Sequence, residues 1–319
     1  MASEHELLRA ILDSDNMGVG GGKMKVLMSV TNVSEGVNKE LIDAVAGAIK
    51  ETEGVKLLEV SSDKDHNRTV YSYLGEPEKV VEAAKKLADL CLDGIDMAKH
   101  KGDHPRMGAV DVVPFIPVRN MDTEEAVALA KQFGKYLGGK GVPVYYYEDA
   151  AAAPERKNLA KVRKGQYEAL PEKLKDPAWA PDEGPAVFNE KSGATAVGVR
   201  MPLIAFNVNL KTSDIGIADT IAKNVRHLSG GFRYVRAIGV NLSDRGMVQV
   251  SMNLTNYRKT PIHRVLETVK SEASRYGVSV ASAELVGPVP LGALEEVVRF
   301  YLQVHQFSVE QIIESNLLE

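Results

Sequence analysis

The chain has 319 residues, 44% apolar and 26% charged, with a net charge of −4. That length provides for about two domains with sizeable cores, and the mildly negative balance excludes a global field drawing the chain to nucleic acid or to an anionic membrane. The lone cysteine, Cys91, excludes an intrachain disulfide, and no apolar run reaches the ~20 residues of a membrane helix. Cysteine scarcity and the lack of a secretory signal in Met1 to His5 lead to the expectation of a cytoplasmic protein.

Residues 1–23 read as an extension, with a short helix over 6–12 and a glycine tract at 18–22. Lys25 to Val30 predicts a strand. Val37 to Lys50 predicts a helix, because Leu41, Ile42, Val45 and Ile49 recur on one face. Gly54 stops it, and Val55 to Val60 reads as a strand. Asp65-His66-Asn67 is a turn, and Thr69 to Leu74 alternates as a strand should. Pro77 opens a long helix to about Met97, in which Cys91 is a small core residue rather than a nucleophile. Val110 to Pro117 is a strand, Thr123 to Leu137 a helix with its capping signal at Asp122, and Val142 to Tyr147 a strand.

Residues 148–195 are a connector with an alanine run, a basic stretch and a proline-rich segment around Trp179. The pattern then returns. Thr195 to Arg200 and Leu203 to Leu210 are strands, Ile215 to His227 a helix, and Tyr234 to Leu242 and Val248 to Leu254 a hairpin turning at Ser243 to Gly246. Ile262 to Tyr276 is a helix, Val278 to Leu285 a strand and Leu291 to Gln303 a helix. The expected fold is α+β: two ferredoxin-like βαββαβ subdomains side by side with a ligand cleft between them. The divisions expected are residues 1–23 (extension), 24–194 (first subdomain with connector) and 195–319 (second subdomain).

The densest chemistry lies in His100-Lys101-Gly102-Asp103-His104-Pro105-Arg106-Met107-Gly108-Ala109. Imidazole is the side chain that titrates near neutral pH unperturbed, and a guanidinium beside it suits a carboxylate or phosphate. The run therefore reads as a catalytic loop for an anionic substrate, against the alternative of a packed loop histidine. His100 and His104 have zinc-helix spacing, but Gly102 and Pro105 disfavour that helix and no Glu follows His100, so no metal is expected. The stretch Asp63 to Arg68 is either an anion clamp or, more simply, a polar hairpin turn. Asn207 and Asn209 share one strand face, and Gln249, Ser251 and Asn253 share another. Amides in these places either line a polar ligand groove or bond strand to strand.

Several segments together resemble the glutamate formimidoyltransferase (formiminotransferase) family. They are Asn32 to Gly36, Asp65 to Val70, His100 to Val112, Val142 to Tyr145, Trp179 to Pro185 and Glu284 to Gly287, in order from about Lys25 to the end. The resemblance implies transfer of the formimino group of N-formimino-L-glutamate to N5 of tetrahydrofolate, two subdomains around a cleft, and a homodimer. It is to the stand-alone form, without the cyclodeaminase domain fused in animals. It implies His104 as the catalytic base, through its His-Pro-Arg motif. Asn32, Asp65, His66, Arg68, Lys101 and Arg106 are the expected substrate-binding set, with Asp103, Asp63 or Asp65 as the acid orienting His104. Tetrahydrofolate, the co-substrate, is expected on Gly184, Pro185, Ala186, Val187, Phe188, Lys191, Ser192 and Gly193, with Asn207, Asn209 and Gln249 as further contacts. Glu183 is a departure, standing where relatives often carry an aromatic residue. The same scaffold would also serve a glutamate formyltransferase using 5-formyltetrahydrofolate, or a silent folate-binding protein. RNA binding is not expected, since the aromatic signature of RNA-reading sheets is absent.

Overall fold

The structure is a computed structural model and describes residues 24–313 and 315. The helix expected over 6–12 lies outside the described residues. The chain divides into two compact units between Arg200 and Met201.

The first unit opens with β1 (Val26–Val33), α1 (Lys39–Lys50), β2 (Val55–Asp63), β3 (Arg68–Gly75), α2 (Pro77–Gly94) and β4 (Val110–Arg119). Its sheet has the order β2-β3-β1-β4 at this end, with β1 antiparallel to both β3 and β4. That is the βαββαβ arrangement expected from the element order. Local chemistry explains the ends. Asn38 caps α1 by accepting from the Leu41 N–H, and Pro77 occupies the first turn of α2, where its missing N–H costs nothing. The helices bury Ile42, Val45, Ile49, Val80, Ala84, Leu87 and Cys91 against Leu27, Val33, Tyr71 and Tyr73 of the strands. Burial pushes the Cys91 thiol far up, which agrees with a core role.

The unit continues with α3 (Thr123–Gly139), β5 (Val144–Glu148), α4 (Leu159–Val162), α5 (Leu170–Lys173) and β6 (Thr195–Val199). Asp122 and Glu125 form a reciprocal capping box at the start of α3. Strand β6 enters between β4 and β5, parallel to both. This differs from the sequence reading, which grouped Thr195 to Arg200 with the second half. Every residue of β6 is buried. The connector supplies cover: Val162, Leu170 and Leu174 join Tyr145, Tyr147 and Ala196 in one apolar cluster. A strand covered on both faces carries no alternation to show which sheet it joins.

The second unit holds β7 (Ile204–Leu210), α6 (Ile215–Val225), β8 (Val235–Leu242), β9 (Met247–Leu254), α7 (Ile262–Ser274), β10 (Val280–Val286) and α8 (Leu291–Leu302). Its order is β10-β7-β9-β8, a second ferredoxin-like sheet. Alternate residues Ile204, Phe206, Val208 and Leu210 pack with Val248, Val250, Met252 and Leu254 and with Ile221, Val265 and Val269 of the helices. The hairpin between β8 and β9 turns through Ser243–Arg245 and closes at Gly246, whose φ of 60° suits glycine. Among the described residues, no helix is long and apolar enough to cross a membrane.

Candidate active site

Strand register brings three loops of the first unit together. Val33, at the end of β1, faces Thr69 at the start of β3 and Val110 at the start of β4. The loop after β1, the turn between β2 and β3, and the stretch before β4 therefore emerge at one end of the sheet. Backbone and side-chain bonds lace them. The Ser34 N–H donates to Ala109 O at 2.9 Å, and its hydroxyl donates to Gly108 O at 2.8 Å.

Asn67 is the junction. Its backbone is left-handed, with φ 46°, a conformation asparagine tolerates better than most residues. Its side-chain oxygen accepts from the Gly36 N–H at 2.8 Å, and its amide donates to Lys101 O at 2.8 Å. Its own carbonyl lies 2.9 Å from His100 Nε2. One side chain thus ties the β1 loop, the hairpin turn and the glycine-rich loop. The glycines permit the approach. A Cβ on Gly36 would sit 2.1 Å from Asp63 O, and one on Gly102 would sit 2.4 Å from His66 O.

His104 stands in this cluster, half-buried. Its Nε2 lies 2.7 Å from Arg68 Nη1. A guanidinium only donates, so Nε2 is the acceptor and the ring is neutral, with its proton on Nδ1. Burial is the main cause of a pKa pushed down to about 3, followed by the charges of Arg68 and Arg163 and by His66; a bond to the Pro105 backbone opposes them. The His66 ring stands edge-on to that of His104, with centroids 6.1 Å apart.

The acid expected to orient His104 is not in contact with it. Asp63 is engaged by His66, accepting its N–H at 2.8 Å and standing 3.0 Å from its Nδ1. Asp103 donates its backbone N–H to Asp65 O. The reason is local: the turn closes on its own donors, and neighbouring side chains diverge. A different carboxylate supports the site from behind. Asp111, buried on β4, pairs with Arg163 of the connector and accepts the Met107 N–H at 2.8 Å. Burial pushes its carboxyl up against the pull of Arg163.

Arg106 is placed differently from expectation. Its side chain is nearly buried, and Glu168 takes both terminal nitrogens, at 3.0 and 2.6 Å. Gln166 accepts at 3.2 Å, and Nε donates to His100 Nδ1 at 3.3 Å. Four of the five N–H donors of this guanidinium are taken by the protein, and it acts as a buckle between the His100–Ala109 loop and the connector. Glu168→Ala would strand a nearly buried cation. The expected cost is about 1–3 kcal/mol of stability, as for a buried group left unpaired, read as a lower urea midpoint with unchanged slope. A midpoint equal to wild type would remove the buckle.

Of the remaining expected residues, Asn32 points its amide to Val30 O at 3.2 Å. Asp65, His66 and Lys101 are exposed, and of these His66 stands beside His104. The 184–193 segment returns to the same loop: the Ala109 N–H donates to Ser192 O at 2.9 Å, and Gly193, with φ 65°, lies against Met107 O. Lys191 Nζ donates to Asp93 O at 3.0 Å. Gly184 to Val187 are exposed, and Phe188 packs on Tyr167 with centroids 5.3 Å apart. Glu183 accepts from the Tyr146 hydroxyl at 3.3 Å.

Asn207, Asn209 and Gln249 belong to the second unit's sheet. Gln249 donates to Asn209 Oδ1 at 2.9 Å and to Glu284, and Asn209 donates to Ser282 and Glu284. The strand-to-strand alternative therefore describes Asn209 and Gln249, which satisfy one another across adjacent strands. Among the described residues, no group of three or more His, Cys, Asp or Glu is placed to hold a metal ion.

Sequence reasoning missed Asp111, Arg163 and Glu168. An aspartate inside the apolar run Ala109 to Val113 was a usable signal for the first. Arg163 and Glu168 lie in a connector whose path the sequence does not disclose.

Comparison with known proteins places the chain in a family. Residues 26–200 match the model of the formiminotransferase domain, N-terminal subdomain, and residues 205–317 that of the formiminotransferase domain. A glutamate formimidoyltransferase of Streptococcus pyogenes is 48% identical over 92% of this chain and 99% of its own length. One from Thermoplasma acidophilum is 43% identical over 92% of this chain and 98% of its own. The mouse formimidoyltransferase-cyclodeaminase is 47% identical over 85% of this chain, a match spanning 51% of that protein. With both subdomain models matched and two relatives covered almost end to end, the chain belongs to the formiminotransferase family.

Proposed function

We propose that this chain moves the formimino group of N-formimino-L-glutamate to N5 of tetrahydrofolate and releases L-glutamate, with His104 carrying the proton. The chain is a transferase of the family just described, and the relatives at 43–48% identity are named for this activity. The observation that carries the residue assignment is the neutral His104 ring, in a cluster where Asp63 is engaged by His66 and Asp111 by Arg163. Its Nε2 holds the lone pair a base needs.

His104 accepts the proton that the attacking amine sheds as its bond to the formimino carbon forms. It returns a proton to the departing glutamate nitrogen. A positioned base contributes about 10²–10⁴-fold; holding two substrates in register supplies the rest. Arg68 supports carboxylate binding better than Arg106, because the fork of Arg106 is already taken by Glu168. The 184–193 segment supports the folate role: it is bonded to the catalytic loop at Ser192 and presents an exposed stretch, Gly184 to Val187, beside Phe188.

The test is glutamate release from N-formimino-L-glutamate with and without tetrahydrofolate. Release that depends on folate is expected. Release at the same rate without folate, or none in either case, would remove the proposal.

A further inference from the structure

Arg68 differs from three other arginines of this unit in lacking a carboxylate partner. Arg106 is paired with Glu168, Arg156 with Asp182 and Arg163 with Asp111. Arg68 has no carboxylate within ion-pair distance among the described residues. Its Nε is buried with no hydrogen-bond partner, and its Nη1 donates to a neutral ring, His104. A half-buried cation with an orphaned donor is an incomplete site for an anion, because desolvation of that charge is not offset by a partner. The guanidinium also occupies the lone pair that His104 needs to take a proton.

We propose that Arg68 masks His104, and that a substrate carboxylate lifts the mask by drawing the guanidinium to itself. The proposal rests on His104 being the base. It adds that the base is competent only when the acidic substrate is in place. The chemistry fits. A carboxylate accepts two parallel N–H bonds from a guanidinium, a stronger contact than one bond to imidazole. Once Arg68 turns, Nε2 is free and the nearest positive charge on it is paired.

The groups facing His104 are few. Arg68 comes from β3, His66 from the hairpin turn, Arg163 from the connector, and the Pro105 backbone from its own loop. Asp111 and Asp63 act on Arg68 in the opposite sense to Arg163, from longer range. Arg163 stays paired with Asp111 throughout, so Arg68 is the cation that a ligand can reassign. The carboxylate has two sources, the formimino donor and the glutamyl tail of the folate, and both present the same group.

The test is a histidine-ring NMR titration of the full chain, in three states: alone, with N-formimino-L-glutamate, and with tetrahydrofolate. Alone, the His104 ring is expected to stay neutral well below its ordinary value of about 6.5. With one of the ligands it is expected to titrate higher than alone, still below 6.5 because the ring stays buried, and the ligand that produces the shift identifies the source. Arg68→Gln is expected to titrate higher than the free wild type without ligand, still below 6.5 because the ring stays buried, and to ignore both ligands. Arg68→Lys keeps the charge without the fork and should respond weakly. A ring titrating near 6.5 in the free wild type, or one unmoved by both ligands, would overturn the mask; these wild-type arms do not depend on a variant folding. Lost turnover in His104→Ala alongside an unresponsive ring would sink the mask and keep the base. A responsive ring alongside full turnover in that variant would sink the base.

Discussion

His104→Ala is expected to lower kcat by about 10²–10⁴-fold, roughly 3–5 kcal/mol of barrier, with the fold retained. The side chain is half-buried in a loop and makes its Nε2 bond to Arg68, which faces water more freely once the ring is gone. Steady-state turnover at saturating substrates is the check, and kcat within a few-fold of wild type would refute the assignment. The same variant carries a pH signature. The folded ring resists protonation, with a pKa near 3, whereas in the unfolded chain it takes a proton below about 6.5. The unfolded state therefore binds more protons in that window. Wild-type stability is expected to be full above about pH 6.5 and to fall as pH drops toward 3. His104→Ala should show a shallower decline over this range, read by urea unfolding at neutral and acid pH. Equal acid slopes would show that the ring is not held neutral.

Gly36→Ala should damage both stability and activity without touching a catalytic side chain. The added Cβ would lie 2.1 Å from Asp63 O and 2.6 Å from Arg68 N. Both belong to the last rung of the β2–β3 hairpin, where Asp63 faces Arg68. Backbone cannot yield as a flexible side chain can, so the loop and the hairpin must part. Overpacking of this kind costs about 1–3 kcal/mol. The displaced turn carries His66, Asn67 and Arg68, and a shift of about 1 Å in positioning residues can lower kcat/KM by ~10². Gly47→Ala is the control: Gly47 lies in α1, and a Cβ there meets nothing within 4 Å. It should gain about 0.5–1 kcal/mol, since alanine suits a helix interior better. Indistinguishable activity and stability for the two variants would refute the contact argument at Gly36.

The elements were legible because short-range rules govern them. Periodicity in Ile42, Val45 and Ile49 marked a buried helix face, and Asp122 announced its capping box. The apolar run from Leu203, with Asn207 and Asn209 on one face, marked a strand. His104 stood out because imidazole, arginine and backbone-breaking residues are crowded into ten positions. Arg106 misled for a physical reason. Sequence shows that a guanidinium is present, but whether it is free depends on Glu168, which lies 62 positions further along the chain. Asn209 and Gln249 were ambiguous for the same reason, since their partners come from neighbouring strands.

The two βαββαβ units, and the candidate loop with its histidine, could be read from local patterns, because propensity, spacing and side-chain chemistry are local properties. Long-range packing decided that β6 enters the first sheet, that Arg106 has a carboxylate partner and Arg68 has none among the described residues, and that Arg68 rests on His104 Nε2. Each of those outcomes depends on which long-range partner reaches a charge or a strand edge first, and folding settles that through burial and register.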